Sequence, residues 1–413
     1  MNKILITQHF SRNKGNVSLL YSLVESIKKN IPDSDIIVSS YNPNETTKIF
    51  NYNCCEWPFI TRNIIEKKGM FMIWNMFKES IIICLQIIVA ILVRFKVIKA
   101  NNLKGRFYFI NILSSVDKVV SPGGHLFTNF NQFGAVFAHF YPLFLSSIIK
   151  KDYYVLAQTL GPFFGKWRFF AVLLTKYVVK HAKYVSVRDN YSLNNLSSLK
   201  IPTSMIHKTN EIVFLYPDES KFEEDNVIND SITVGVTIHH LYYKHFMSKE
   251  KYLHETVSFL SKILELGNIN IKLISMELNV NDKGDHLFLK EIIQHFPNNE
   301  NIYIDYISMD PRKVLNTFSK LNYLIATKTH SVVYGLRKSV PTLAIAYNEK
   351  TTYFMKDFNL SQYSIPLKDF NANDAFDIFK LLMNNTDNVK ETIKMNLANI
   401  QKQALENIII LKD

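Results

Sequence analysis

Residues 323–331 read Tyr323-Leu324-Ile325-Ala326-Thr327-Lys328-Thr329-His330-Ser331. An apolar run of strand length stops at polar residues, and a helical pattern begins at Ser331. A buried strand hands over to a helix in this way when both faces of a parallel sheet are covered. The same change recurs on either side. In the second half, strands are expected at 232–238, 269–275, 301–305, 323–327 and 341–346, and helices at 249–266, 285–295, 311–320, 331–336 and 350–358. In the first half, strands are expected at 4–7, 36–39, 118–121, 153–157 and 184–187. An early helix carries Leu19, Leu20, Leu23, Val24 and Ile27 on one face, and others are expected at 133–150, 167–181 and 190–199. Two runs of alternating strands and helices predict two facing Rossmann-like α/β domains with parallel sheets, and an active site in the cleft between them.

The domains are expected at 1–216 and 231–385. Between them, 217–230 is acidic and poor in apolar residues, and reads as a linker. A final helix, 386–413, has Ile393, Leu397, Ile400, Ala404, Ile408 and Leu411 at helical spacing. A chain of 413 residues has room for two domains of ordinary size. Its 47% apolar and 20% charged residues exclude a disordered chain.

The net charge of +12 attracts anions. The excess is spread along the chain, with neither zinc-finger spacing nor an RNP-like aromatic motif, so nucleic acid is not expected as a partner. Cys54, Cys55 and Cys84 form neither a disulfide framework nor a metal set. They fit a reducing compartment, and no metal is expected. Residues 1–7 are too short an apolar run for a signal peptide, so a cytoplasmic location is expected.

Residues 70–93 break the alternation. The part from 80 to 93 has no charge and is bracketed by Lys78, Glu79, Arg94 and Lys96. A span needs about 20 apolar residues. The segment reads as a helical insertion near 70–96, with three alternatives: a buried or partly buried helix, one resting on a membrane at the inner face with basic residues at its edge, or one crossing it.

Ligands of open α/β sheets bind beyond the carboxyl ends of the strands. Four places there combine small and polar residues. Asn13-Lys14-Gly15-Asn16 opens the first helix, whose N-terminus offers N–H groups to an anion. Ser121-Pro122-Gly123-Gly124-His125 follows a strand, and paired glycines let a ligand approach the backbone. Gln158-Thr159-Leu160-Gly161-Pro162-Phe163 follows another, and beyond it stands Val187-Arg188-Asp189. Arg188 suits a carboxylate or phosphate, unless it simply pairs with Asp189. At Thr327-Lys328-Thr329-His330-Ser331, a lysine, a histidine and a helix N-terminus converge, which suits an anion and a proton transfer. Capped loops and plain turns are the simpler alternatives at each place. His239, His240 and His245 lack the spacing of a metal pair on one helical face.

In this order the motifs resemble the polysaccharide pyruvyl transferase family. The family's N-x-G-(D/N) loop is matched by Asn13, Gly15 and Asn16, and its G-G by Gly123 and Gly124. Its Q-(S/T)-x-G-P segment is matched by Gln158, Thr159, Gly161 and Pro162, and its V-R-D by Val187, Arg188 and Asp189. The later elements read Lys328, Thr329, His330, Ser331, Val340, Pro341, Tyr347 and Lys350. Two positions depart from the pattern. Lys328 replaces an arginine, which keeps the charge and loses the planar fork, and Glu211 replaces an aspartate.

The resemblance implies a glycosyltransferase-B-like fold. It implies transfer of a pyruvyl group from phosphoenolpyruvate to two hydroxyls of a sugar, in a surface polysaccharide or its lipid-linked precursor. Phosphoenolpyruvate is then a co-substrate, and no cofactor is expected. Lys328 and Arg188 would hold the anionic donor, and His330 would supply the proton. Asn13, Gly15, Asn16, Gly123, Gly124, His125, Gln158, Gly161, Tyr347 and Lys350 would complete the binding site. Two other functions stay open: a nucleotide-sugar glycosyltransferase using Glu277 or Glu349, and a non-catalytic relative.

Overall fold

This computed structural model describes residues 2–9, 13–58, 70–128, 133–201, 203–217, 231–277, 284–306 and 310–412. The expected linker lies outside them from 218 onward. The chain divides into two compact units. The first comprises Met1–Ser11, Leu19–Ile212 and Ala404–Asp413, and the second Arg12–Ser18 and Val213–Gln403.

The first unit is built on β1 (Asn2–His9), β2 (Ser34–Ser40), β3 (Asn53–Glu56), β4 (Lys118–Ser121), β5 (Gly124–Phe127), β6 (Asp152–Leu160), β7 (Tyr184–Val187) and β8 (Ile206–Lys208). They form one eight-stranded sheet in the order β3-β2-β1-β4-β6-β7-β8, with β5 also on β6. Every pairing is parallel; Ile4 lies between Ile36 and Lys118. Its helices are α1 (Lys14–Asn30), α2 (Pro43–Phe50), α3 (Met70–Arg94), α4 (Tyr108–Ser115), α5 (Phe133–Ile149), α6 (Arg168–His181) and α7 (Asn190–Ser198). The first residues of α1, through Ser18, group with the second unit. Helices on both faces explain why β4 is buried throughout and β6 from Tyr153 to Leu160.

Helix α3 is the expected insertion, and it is the partly buried helix that the first alternative allowed. Only one face packs: Gln86 and Ala90 are buried, Gln86 Nε2 donates to Pro58 O at 2.8 Å, and Tyr141 Oη donates to Gln86 Oε1 at 2.8 Å. The opposite face exposes Ile73, Trp74, Phe77, Ile81, Leu85 and Ile88.

The second unit contains β9 (Ile232–Thr237), β10 (Ile269–Ile274), β11 (Ile302–Asp305), β12 (Tyr323–Ala326), β13 (Thr342–Ala346) and β14 (Ser364–Pro366). The order is β11-β10-β9-β12-β13-β14. Numbered within the unit this is the 3-2-1-4-5-6 Rossmann order, whose topological switch point lies between β9 and β12. Its helices are α8 (Lys249–Leu264), α9 (His286–Ile293), α10 (Pro311–Ser319), α11 (Thr329–Arg337), α12 (Glu349–Asp357), α13 (Ala372–Asn384) and α14 (Thr386–Ile409). Along α14, Ile393, Ile400, Ala404 and Ile408 are buried, as is Leu411 just beyond, and Leu397 is half-buried. From Ala404 onward the chain belongs to the first unit.

Candidate functional site

In the second unit, the site grows from the carboxyl ends of β9, β10, β12 and β13. Strand β12 is buried along its length, so its polar successors emerge where the sheet ends. Lys328 occupies the cap position of α11 in extended backbone and stays buried. Its Nζ lies 2.9 Å from Asp285 Oδ2 and 3.2 Å from Glu277 Oε2. Asp285 is fully buried and accepts from Ser275 Oγ at 2.8 Å and from the Met276 N–H at 2.9 Å. Burial pushes its carboxyl up, but the Lys328 charge and these hydrogen bonds outweigh burial and hold it below the usual carboxylate range.

The Asn13-Lys14-Gly15-Asn16 turn belongs to the same constellation. Asn13 Oδ1 accepts from the N–H groups of Gly15 at 2.8 Å and Asn16 at 3.4 Å, which caps α1. Its Nδ2 donates to Glu277 Oε1 at 2.7 Å. Lys14 is fully buried and donates through Nζ to Ser275 O. Burial lowers its pKa to about 8, opposed by Asp285 and Asp305 and reinforced by Lys328. A Cβ on Gly15 would sit 2.3 Å from His330 Nδ1, so only glycine lets this backbone rest on the imidazole. Tyr334 of α11 secures the contact: its Oη donates to Lys14 O at 3.1 Å and lies 2.6 Å from the Ser18 hydroxyl.

Two strand ends complete this group. The Tyr347 ring lies 4.5 Å from that of His239, and Thr329 Oγ1 stands 3.5 Å from Tyr347 Oη. Asn348 caps α12, on which Lys350 is buried. His239 is pushed down to about 3 by burial, with Lys328 and His240 acting the same way, so its ring is neutral near pH 7. His240 Nδ1 stands 3.9 Å from Glu277 Oε2.

The remaining expected site residues gather at the strand ends of the first unit, and there they mostly bond one another. Arg188 is buried; Nε donates to Thr159 Oγ1 at 2.9 Å, and Nη1 pairs with Glu211. Asp189, the partner expected for it, instead caps α7 through Ser192 and accepts from Thr159 Oγ1 at 2.7 Å. Gln158 is fully buried and donates to Pro122 O. His125 Nε2 stands 2.7 Å from Gly161 O, ahead of a cis Gly161–Pro162 bond. Gly124 opens strand β5 with φ at 125°, a backbone that a side chain would strain. A Cβ on Gly123 would meet Ala157 O at 3.2 Å.

The structure thus assembles Asn13, Gly15, Asn16, Lys328, His330, Tyr347 and Lys350 in one unit, and Gly123, Gly124, His125, Gln158, Gly161 and Arg188 in the other. Sequence reasoning missed Lys14, Asp285 and His239. Lys14 and His239 were findable, since each stands at a strand end or beside a motif; Asp285 carried no such signal.

The family model for polysaccharide pyruvyl transferases matches residues 13–349. The chain belongs to that family. The match contains the motifs described above as far as Tyr347, and Lys350 lies one residue beyond it. Among solved structures, this pyruvyl transferase family member is similar to a glycosyltransferase from Rickettsia africae, with 12% identity over 100% of this chain and 98% of that one and a TM-score of 0.61. It is also similar to a UDP-GlcNAc 2-epimerase from Neisseria meningitidis bound to UDP-GlcNAc, with 13% identity over 100% of both chains and a TM-score of 0.58. A UDP-GlcNAc 2-epimerase from Methanocaldococcus jannaschii shows 14% identity over 93% of both chains and a TM-score of 0.59. These likenesses show the fold, which is of the glycosyltransferase-B type.

Proposed function

We propose that the protein transfers a pyruvyl group from phosphoenolpyruvate to two hydroxyls of a sugar in a surface polysaccharide or its lipid-linked precursor, forming a ketal. Family membership over 13–349 carries this reading. The chemistry at the β12 end supports it: His330 stands in the first turn of α11 beside two buried lysines, Lys14 and Lys328. An imidazole within reach of substrate can hand over a proton and suits a general acid. Protonation of the donor's methylene carbon leaves its neighbouring carbon open to a sugar hydroxyl. Phosphate departs with the enol oxygen, and the second hydroxyl closes the ketal as its proton is lost.

The lysines' charges are compensated by Asp285 and Glu277. They therefore serve as a fixed polar floor, and the N-terminal turns of α11 and α12 add positive dipole ends for the donor's anionic groups. Arg188, engaged by Glu211 and Thr159, is read as positioning the β6 and β7 ends. A nucleotide-sugar reading needs a carboxylate for the ribose; Glu277 is already taken by Asn13 and Lys328, which leaves that reading to the exposed Glu349 at the start of α12. Incubation with phosphoenolpyruvate and a panel of glycosides, lipid-linked sugars included, should release inorganic phosphate. It should also give a product heavier by one pyruvate less one water. No release with any acceptor, together with a melting temperature raised by a uridine diphosphate sugar and not by phosphoenolpyruvate, would reverse the choice.

A further inference from the structure

We propose that the first unit docks on an anionic membrane surface through the outer faces of α3 and α6, lying in the interface without crossing it. From Ile73 to Phe95, the residues Ile73, Phe77, Ile81, Leu85, Ile88 and Phe95 recur at helical spacing on the side of α3 opposite Gln86 and Ala90. They are open to solvent: Trp74 is 64% exposed, Phe77 59% and Phe95 68%. Lys78, one turn from Trp74 and Ile81, is the charged residue at the border of this stripe. A single exposed leucine needs no explanation, but a continuous apolar stripe marks an interaction surface.

Helix α6 carries a second patch. Phe169 is 71% exposed, and Phe170 and Leu173 are also exposed. Both helices flank α5: Tyr141 bonds to Gln86 of α3, while Phe140 and Phe144 meet Tyr177 of α6 at 5.6 and 5.5 Å. The two apolar patches therefore lie on one helical layer of this unit.

Charge selects the occupant. Residues 73–116 contain six basic residues and one acidic, and 153–187 contain five basic and none acidic. A symmetric contact between two copies would set these positive borders against each other. An anionic headgroup layer instead attracts each lysine and arginine near it. The borders also pair cations with aromatics, Arg94 over Phe95 and Lys166 over Trp167, the amphipathic chemistry of a membrane boundary. Ile73–Arg94 is long and apolar enough to cross a bilayer. Gln86 argues against crossing, because its side chain bonds to Pro58 O, Arg106 O and Tyr141 Oη, and insertion would strip these bonds away.

The test uses the full chain and reads binding, so it is independent of the proposed donor. On flotation at low salt, the protein should rise with vesicles of phosphatidylcholine and phosphatidylglycerol, and stay behind with phosphatidylcholine alone. Fluorescence of Trp74 and Trp167 should shift to the blue. The double substitution Trp74→Ser and Phe77→Ser should cut partitioning about tenfold or more. Phe169→Ser with Leu173→Ser should weaken it too, and Lys96→Glu with Lys99→Glu should abolish the preference for anionic vesicles. All these positions are exposed, so circular dichroism should not change. Failure to float at low salt overturns the proposal. So does dimerisation without vesicles that the same substitutions abolish, since the face would then be a protein interface. Resistance to alkaline carbonate extraction would show a span and overturn it as well.

Discussion

His330 and Gly15 touch because a strand end in the second Rossmann sheet meets the first turn of α1. His330→Gln keeps a hydrogen-bonding side chain but removes the acid. It should lower kcat by about 10²–10⁴-fold with little change in donor KM, which steady-state kinetics will show. Near-normal turnover would mean that the ring only positions substrate. Lys328→Ala is a poor probe, because it strands the buried Asp285 carboxylate, a loss of about 3–5 kcal/mol. Lys328→Arg keeps the pair and should retain activity. A second outcome concerns acid. Burial pushes His239 and His139 down to about 3. An unfolded histidine takes its proton near 6.5. Between these values the unfolded chain binds more protons, so stability should fall as pH drops from about 6.5 towards 3. Denaturant midpoints at near-neutral and acidic pH should show this, and His139→Phe should shrink the difference. At this scale the motifs were legible and their partners were not. Arg188 looked like an anion clamp, yet tertiary structure gives it Glu211.

Among the elements, those with long apolar patterns, such as β6 and α5, were plain in the sequence. The strands β3, β5, β8 and β14 were not, because they stand at the margins of their sheets, lack the apolar run of the equally short central β4 and β12, and gain their stability from sheet neighbours. Gly124-His125-Leu126-Phe127 reads as a loop and becomes a strand by pairing with β6. Helix α11 carries another requirement that no periodicity reveals. A Cβ on Gly335 would lie 2.4 Å from Thr342 Oγ1 and 2.7 Å from Leu324 Cδ2. Gly335→Ala raises helix propensity, yet overpacking against β12 and β13 should make it a net loss of about 1–3 kcal/mol. Chemical denaturation measures the sign, and a stabilised variant would mean that α11 can shift outward freely.

For the whole molecule, the last residues matter more than their position suggests. Asn407 is fully buried in the first unit, where its Oδ1 accepts from Ser186 Oγ at 2.5 Å and Thr209 Oγ1 at 3.1 Å. Lys118 donates to Leu411 O at 2.7 Å. Removing Ala404–Asp413 should therefore lower the melting temperature and expose the first unit to protease, while Asn407→Ala alone should cost about 1–3 kcal/mol. An unchanged melting curve after truncation would show that these bonds are not needed. The sequence by itself determined two parallel α/β sheets and the strand ends where polar residues gather, because burial on both faces imposes continuous apolar runs and ligands leave small polar residues at their ends. Its ordered motifs also determined the family. It took the tertiary fold to establish that Arg188 and Lys328 are neutralised by carboxylates, that residues 12–18 and 404–413 each join the unit remote from their sequence neighbours, and that α3 turns an apolar face outward. The physical reason is that ion pairing and solvent exposure depend on distances between segments far apart in the chain, whereas periodicity records only which side of an element is buried.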